Sequence, residues 1–473
     1  MNRTLLPFLF LLFCYQYPSF SQSSTTTWAK SIGGDMYDET SCIATDRQGN
    51  VFAGGNFQSA SVMAEDKQLT NNGKAGSDFF ISKYSHDGAL VWTKSFGGAN
   101  ADNVHSIAVD ISGNIVVIGE FYSPKIMLGT IELTNSGKPG SPEIFIAKFS
   151  TDGTALWAKS AKGAGFDEGR AIATDSMGNC ICTGWFQSPT LTVGQITLKS
   201  NGLRDGFVVK YSPAGEVLWA QGLGAENSES CSAITTDYQG NIILAGDFRS
   251  AKLVLGATVL ANSSKDNSDG FMAKLDPHGK ILWAKSMGGS LGDAATCVTT
   301  DPSGNVIVGG FFASPVLRFK NITFANQGNY DVFLVKFDSA GSFLWAKSSG
   351  GDELDNINSI ASDSDGNLYC FGGFGSHKIT FGDISLIGTQ AASYVHNDIY
   401  LAKYTADGAV TWARKLGGGI FDDASGITLD PNNTICLSGR FNSPSVDIDG
   451  NIVKTKGEHD GFVAKMLNQA PKK

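Results

Sequence analysis

Apolar residues in this chain fall into short runs that come in fours, separated by polar and glycine-rich breaks. From Val104 to Ser160 the runs read VHSIAVD, NIVVIGEF, EIFIAKFS and TALWAKS. Val, Ile, Phe and Trp dominate inside them, and Gly, Asn, Asp and Pro punctuate between them, which predicts β-strands joined by turns. Two of the breaks are tight. DISGN, Asp110 to Asn114, joins the first two runs, and TDG, Thr151 to Gly153, joins the last two. Asp and Asn bond their own backbone in such turns, and Gly supplies the positive φ. The DxxGN phrase is acidic but lacks the further carboxylates of an EF-hand loop, so it reads as a hairpin turn and not as a calcium loop.

The four-run unit recurs. WAKSIGGDMYD at Trp28 returns as WTKSFGGANAD, WAKSAKGAGFD, WAQGLGAENSE, WAKSMGGSLGD, WAKSSGGDELD and WARKLGGGIFD. The tryptophans (Trp28, Trp92, Trp157, Trp219, Trp283, Trp345 and Trp412) stand 64, 65, 62, 64, 62 and 67 residues apart. A period of this size means an array of supersecondary units. One four-stranded unit cannot bury both faces of its sheet. Packed radially, each sheet covers the next, which predicts a seven-bladed β-propeller. The Trp strand is the outermost of each blade. The array opens with one at Trp28, and the last unit ends at GFVAKMLNQAPKK without one. The Trp28 strand is therefore expected to complete the seventh blade and close the ring, leaving no open edge.

Three phrases, W-A-K-S-x-G-G-x-x-x-D, S-I-A-x-D-x-x-G-N and D-x-F-x-x-K, resemble the seven-bladed β-propeller (SBBP) repeats of exported bacterial proteins. The resemblance covers essentially the whole chain after its leader. It implies an all-β propeller with four antiparallel strands per blade, and it brings no shared catalytic set.

Comparing the repeats with one another separates strict columns from free ones. An acid follows each Trp by ten residues (Asp38, Asp102, Asp167, Glu229, Asp293, Asp355, Asp422), and a turn Asp follows that acid by eight. A Phe follows the turn Asp by eleven, and a Lys column runs Lys83, Lys148, Lys210, Lys274, Lys336, Lys403, Lys465. Acids and lysines used once per blade are expected to pair as scaffold. All length variation lies in one segment, 19 to 24 residues from the Phe to the acid that opens the third strand. Its L-x-x-x-G-x-x-x-L pattern predicts an extra hairpin at the rim. This segment and the GGxxxD phrase emerge on one face, so that face carries variable loops and the other tight turns. Variable loops on a rigid scaffold are where binding resides.

The residue before each Phe is free: Asn56, Glu120, Trp185, Asp247, Phe311, Gly373 and Arg440. Trp185, Phe311, Arg440, Glu120 and Asp247 are the candidate binding ring, with Tyr37, Phe166 and Phe421 in the adjoining GGxxxD loops. Aromatics and Arg are the residue types of binding hot spots.

Residues 1–21 have the layout of a secretory signal peptide: Arg3, then an apolar run from Leu5 to Phe13, then small Ser19 and Ser21. Residues 22–473 are read as a single propeller domain that is periplasmic, surface-bound or released. The formal charge of −9 argues against nucleic acid as partner. Cys42, Cys180, Cys182, Cys231, Cys297, Cys370 and Cys436 follow strand patterns and are expected to be small, reduced core residues. The six histidines share no column, and neither G-x-S-x-G nor H-E-x-x-H occurs. The expectation is a non-enzymatic, monomeric module that binds protein or glycan through its loop face, with no cofactor, no metal and no catalytic residue. The alternatives are an envelope scaffold and, behind it, a quinone-dependent dehydrogenase.

Overall fold

The computed structural model describes residues 27–73, 76–389, 397–417, 419 and 421–470. The proposed leader lies outside them. Among the described residues the regular elements are all strands. They form seven four-stranded antiparallel blades around an axis. In blade 1 the order from the axis outward is Asp38–Thr45, Val51–Phe57, Asp78–Tyr84 and Leu90–Phe96. A hairpin, Ser61–Ala64 with Lys67–Thr70, sits at the rim between the second and third strands. Each later blade repeats the plan. The second and third strands are buried on both faces, as in Ile115–Phe121 and Glu143–Phe149, which is why they read as almost unbroken apolar runs.

Blade 7 consists of Asp422–Leu429, Ile435–Phe441, Asp460–Met466 and, as its outermost strand, Trp28–Gly33. The register Trp28 opposite Lys465 matches Trp92 opposite Lys83 in blade 1. The ring closes with strands from distant parts of the chain, as the repeat pattern requires.

The strict columns explain how blades hold one another. Trp157 of blade 2 donates its indole N–H to Pro213 O in the turn of blade 3 at 3.0 Å, and Lys148 Nζ reaches the same carbonyl at 3.2 Å. Lys148 also pairs with Asp110 in its own blade at 2.7 Å, both side chains almost fully buried. The set recurs as Lys210–Asp175, Lys274–Asp237, Lys336–Asp301 and Lys465–Asp430. The indole lies flat on the turn glycine of the next blade. A Cβ on Gly215, whose φ is +83°, would fall 2.8 Å from the Trp157 ring. In these five blades the Lys column pairs with the turn aspartate, the scaffold pairing between strands that the repeat columns led one to expect.

The strand-opening acids hold the loops. Asp102 accepts from the Gly98 N–H at 2.7 Å, from Ser123 Oγ at 2.7 Å and from Ser123 N–H at 3.1 Å. Asp38 and Asp293 repeat this with Gly34 and Ser59, and with Gly289 and Ser314. The third-strand acids face the same loops. Asp78, Glu143, Asp205, Asp269, Asp331 and Asp460 are fully buried, and each has one side-chain oxygen without a hydrogen-bond partner. The Asp78 carboxyl lies so close to Gly97 that a Cβ there would be 2.1 Å from Oδ1. Burial pushes Asp78, Asp331 and Asp460 up to about 6. Burial, with a smaller contribution from the facing third-strand carboxylate, takes Asp102 to about 6 and Asp355 to about 7. The seven cysteines from Cys42 to Cys436 are buried and unpaired.

Three outcomes follow from this packing. Removing residues 25–31 leaves the Asp460–Met466 strand as an open edge, and the melting temperature falls or the protein aggregates on size exclusion. Lys210→Ala leaves the buried Asp175 carboxylate uncompensated and costs about 3–5 kcal/mol in denaturant unfolding. Stability also depends on pH. Carboxyls raised above their unfolded values stabilise below the unfolded pKa, and that stabilisation is lost as pH rises through the folded pKa. For Asp78, Asp102, Asp331, Asp355 and Asp460 the loss spans about 4 to 7. Asp110, Asp175, Asp237 and Asp301 run oppositely: burial alone would raise them, but Lys and Asn partners hold them low, so their contribution fades only in acid. The melting temperature is therefore higher at pH 5 than at pH 8, and Asp331→Asn flattens the difference by stabilising the protein at pH 8. An equal melting temperature at both values contradicts the assignment.

Candidate functional site

The two loop systems of the variable face are knitted together. At four of the seven blade junctions the residue before a third-strand acid bridges in parallel to the residue before the next inner-strand acid: His459 with Tyr37, Arg204 with Ser228, Tyr330 with Leu354, and Asn397 with Phe421. With the carboxylate clamps beneath them, these loops form a braced frame around the axis.

Inside the frame, six of the seven residues before the Phe column pair across their blade with the second residue of the inner strand. The pairs are Asn56 with Glu39, Glu120 with Asn103, Trp185 with Glu168, Asp247 with Ser230, Phe311 with Ala294 and Arg440 with Asp423. A β-bulge follows one or two residues later in each of these six blades, so the inner strand twists at the height of the ring.

The sequence candidates separate into four groups. Arg440 joins blades 7 and 1: Nη1 donates to Glu39 Oε2 at 3.0 Å and Nη2 to Asp423 Oδ2 at 2.5 Å, while the guanidinium lies 5.1 Å from the Tyr37 ring centre. Trp185 is buried beneath the Arg204 guanidinium, 4.9 Å from its ring. Phe311 is half-buried and meets Tyr330 edge-on at 5.0 Å. Glu120 is buried against His105, with Nε2 2.5 Å from Oε2, and takes a 3.0 Å hydrogen bond from Asn103 Nδ2. Asp247 is half-buried, and burial, against the pull of Arg204, pushes its carboxyl up to about 6. Of the loop aromatics, Phe166 is exposed beside Tyr122, whereas Tyr37 and Phe421 are half-buried.

Several residues that complete these groups were not singled out from sequence: Glu39, His105, Glu168, Arg170, Arg204 and Asp423. The available signal was the position after the strict inner-strand acid, which varies as widely as the ring itself: Glu39, Asn103, Glu168, Ser230, Ala294, Asn356, Asp423. The serines that brace the loops were also overlooked, although Phe-x-Ser recurs in every blade from Ser59 to Ser443. The mouth of the ring thus presents an asymmetric set of carboxylates, guanidiniums and aromatic edges, most already hydrogen-bonded to one another.

Residues 91–120 match the β-propeller repeat (SBBP) family model; they run from the outer strand of blade 1 into the second strand of blade 2. An uncharacterized WD repeat-containing protein of Acanthamoeba polyphaga mimivirus is 23% identical over 94% of this chain and 38% of its own length. The regulatory protein FlaEY of Caulobacter vibrioides is 23% identical over 82% of this chain and 42% of its own. The chain therefore spans about two-fifths of the length of these curated relatives. Among solved structures, the Pan2 WD40 domain of Neurospora crassa aligns over 91% of this chain and 90% of that one, at 10% identity and a TM-score of 0.44. With one repeat matched in sequence and seven blades closed in space, the chain is a seven-bladed β-propeller that carries an SBBP-type β-propeller repeat at residues 91–120.

Proposed function

We propose that this propeller is a non-catalytic module that binds a protein partner through its loop face. One observation carries the reading. Met36, Phe166, Leu203, Leu291 and Leu354 stand in the loops of that face and are 41 to 69% exposed. They surround the charged mouth in the pattern of apolar contacts set among polar groups that marks interaction sites. The bridged loops are held in place before any partner arrives, which lowers the ordering cost of association. The propeller fold supports the same reading, and so does the signal-like leader for an exported location.

The best probes are exposed side chains, because truncating buried Trp185 would itself cost about 3 kcal/mol or more of stability. The double variant Phe166→Ser, Leu203→Ser should keep its melting temperature within a few degrees and lose at least tenfold in capture of the partner from an extract of the source organism. Met177→Ser with Tyr238→Ser, exposed on the turn face, is the control and should capture normally. If the control loses the partner and the loop variant keeps it, the site lies on the opposite face. If capture survives protease treatment of the extract, the ligand is not a protein.

A further inference from the structure

We propose that His105, Glu120 and Glu168 form a site for one divalent first-row transition ion, Zn²⁺ or Mn²⁺, between blades 2 and 3 at the mouth of the ring. The inference stands independently of the loop-face reading.

The three side chains come from three strands, Asp102–Val109, Ile115–Phe121 and Asp167–Thr174. One ligand atom of each lies within 4.8 Å of the other two. Ions of this class sit about 2.0–2.2 Å from imidazole nitrogen and carboxylate oxygen, so neighbouring ligand atoms stand about 3.0–3.5 Å apart. His105 Nε2 to Glu168 Oε1 is already 3.5 Å. His105 Nε2 to Glu120 Oε2 is 2.5 Å, a contact bridged by a proton. Replacing that proton with an ion requires Glu120 to withdraw by less than about 1 Å.

The surroundings fit. Asn103 donates to the other Glu120 oxygen at 3.0 Å and orients that carboxylate from a second layer, whereas Arg170 Nε donates to Glu168 Oε1, the ligand oxygen itself, at 2.9 Å and competes with an ion for it. His105 and Glu168 keep 24 and 17% of their side-chain surface, so a fourth position can be filled by water or by a group on a partner. One imidazole with two carboxylates suits Zn²⁺ or Mn²⁺, whereas Ca²⁺ seeks six to eight oxygens. The cluster is also singular. The residues equivalent to His105 in the other blades are Ser41, Arg170, Ser232, Thr296, Asn358 and Ser425. A residue that occurs in one blade alone is not part of the repeated scaffold.

The test is calorimetric titration of the full, untagged, metal-stripped chain with Zn²⁺ and with Mn²⁺, and Co²⁺ absorption as a report of coordination. One equivalent should bind and raise the melting temperature. His105→Ala and Glu168→Gln should each weaken binding at least tenfold and abolish the thermal shift. Arg170→Ala removes the competing cation and should tighten binding, an effect that a purely structural ion-pair network would not produce. Circular dichroism checks folding. Should His105→Ala fail to fold, Glu168→Gln and Arg170→Ala decide between them. Absence of saturable binding by the wild type, or equal binding by Glu168→Gln, overturns the site and leaves an ion-pair network between blades 2 and 3.

Discussion

The structure depends on one contact repeated around the ring: a tryptophan and a lysine from one blade converging on a single turn carbonyl of the next. Neither half would suffice alone. Indole burial against the turn glycine is favourable but weakly directional. The buried Lys–Asp pair is directional, but desolvation offsets most of its Coulombic gain. Together they set the spacing and rotation of successive blades. Lys148, Lys210, Lys274 and Lys336 each bond their own turn Asp and the next blade's carbonyl, at nearly the same distances.

The contact changes where the ring closes. Blade 7 takes its outer strand from Trp28–Gly33, so no turn joins its third and fourth strands. Blade 6 meets the segment after Met466 instead: Lys403 donates to Asn468 Oδ1 at 3.1 Å, and Arg414 donates to Gln469 O. Asp363, the blade 6 turn Asp, takes its bond from Tyr369 OH at 2.9 Å. On the other side of the seam, Lys465 donates to His86 O at 3.1 Å and the Trp28 ring lies against Gly88, but the Trp28 indole N–H has no hydrogen-bond partner. The seam is thus held by substitutes for the missing turn.

Charge is divided by height along the axis. At the turn face, carboxylates are neutralised by buried lysines. At the loop face, Asp78, Asp102 and Asp331 have backbone N–H, amide and hydroxyl donors instead, and burial raises their pKa. Above them some ring residues bond across blade boundaries: Asn56 accepts from the Val104 N–H at 2.8 Å, and Arg440 donates to Glu39 at 3.0 Å. Because the scaffold is held by the columns, the mouth is free to differ from blade to blade. That freedom places a histidine between two glutamates at one boundary and an arginine between two carboxylates at another.

The sequence alone determined the blade number, the strand count per blade, the rim hairpins and the closing role of the Trp28 strand. Each follows from local strand patterning and a fixed period, and both are written in neighbouring residues. It also determined which positions are scaffold and which vary. The partners of those positions were decided only in three dimensions. In five blades the Lys column pairs with the turn Asp, because the third strand runs antiparallel to the second and brings, for example, Lys148 beside Asp110 across 38 residues of chain. His105, Glu120 and Glu168 occupy three different columns, and no spacing links them. Packing blade 3 against blade 2, at an angle set by the tryptophan and lysine contacts, is what brings them together.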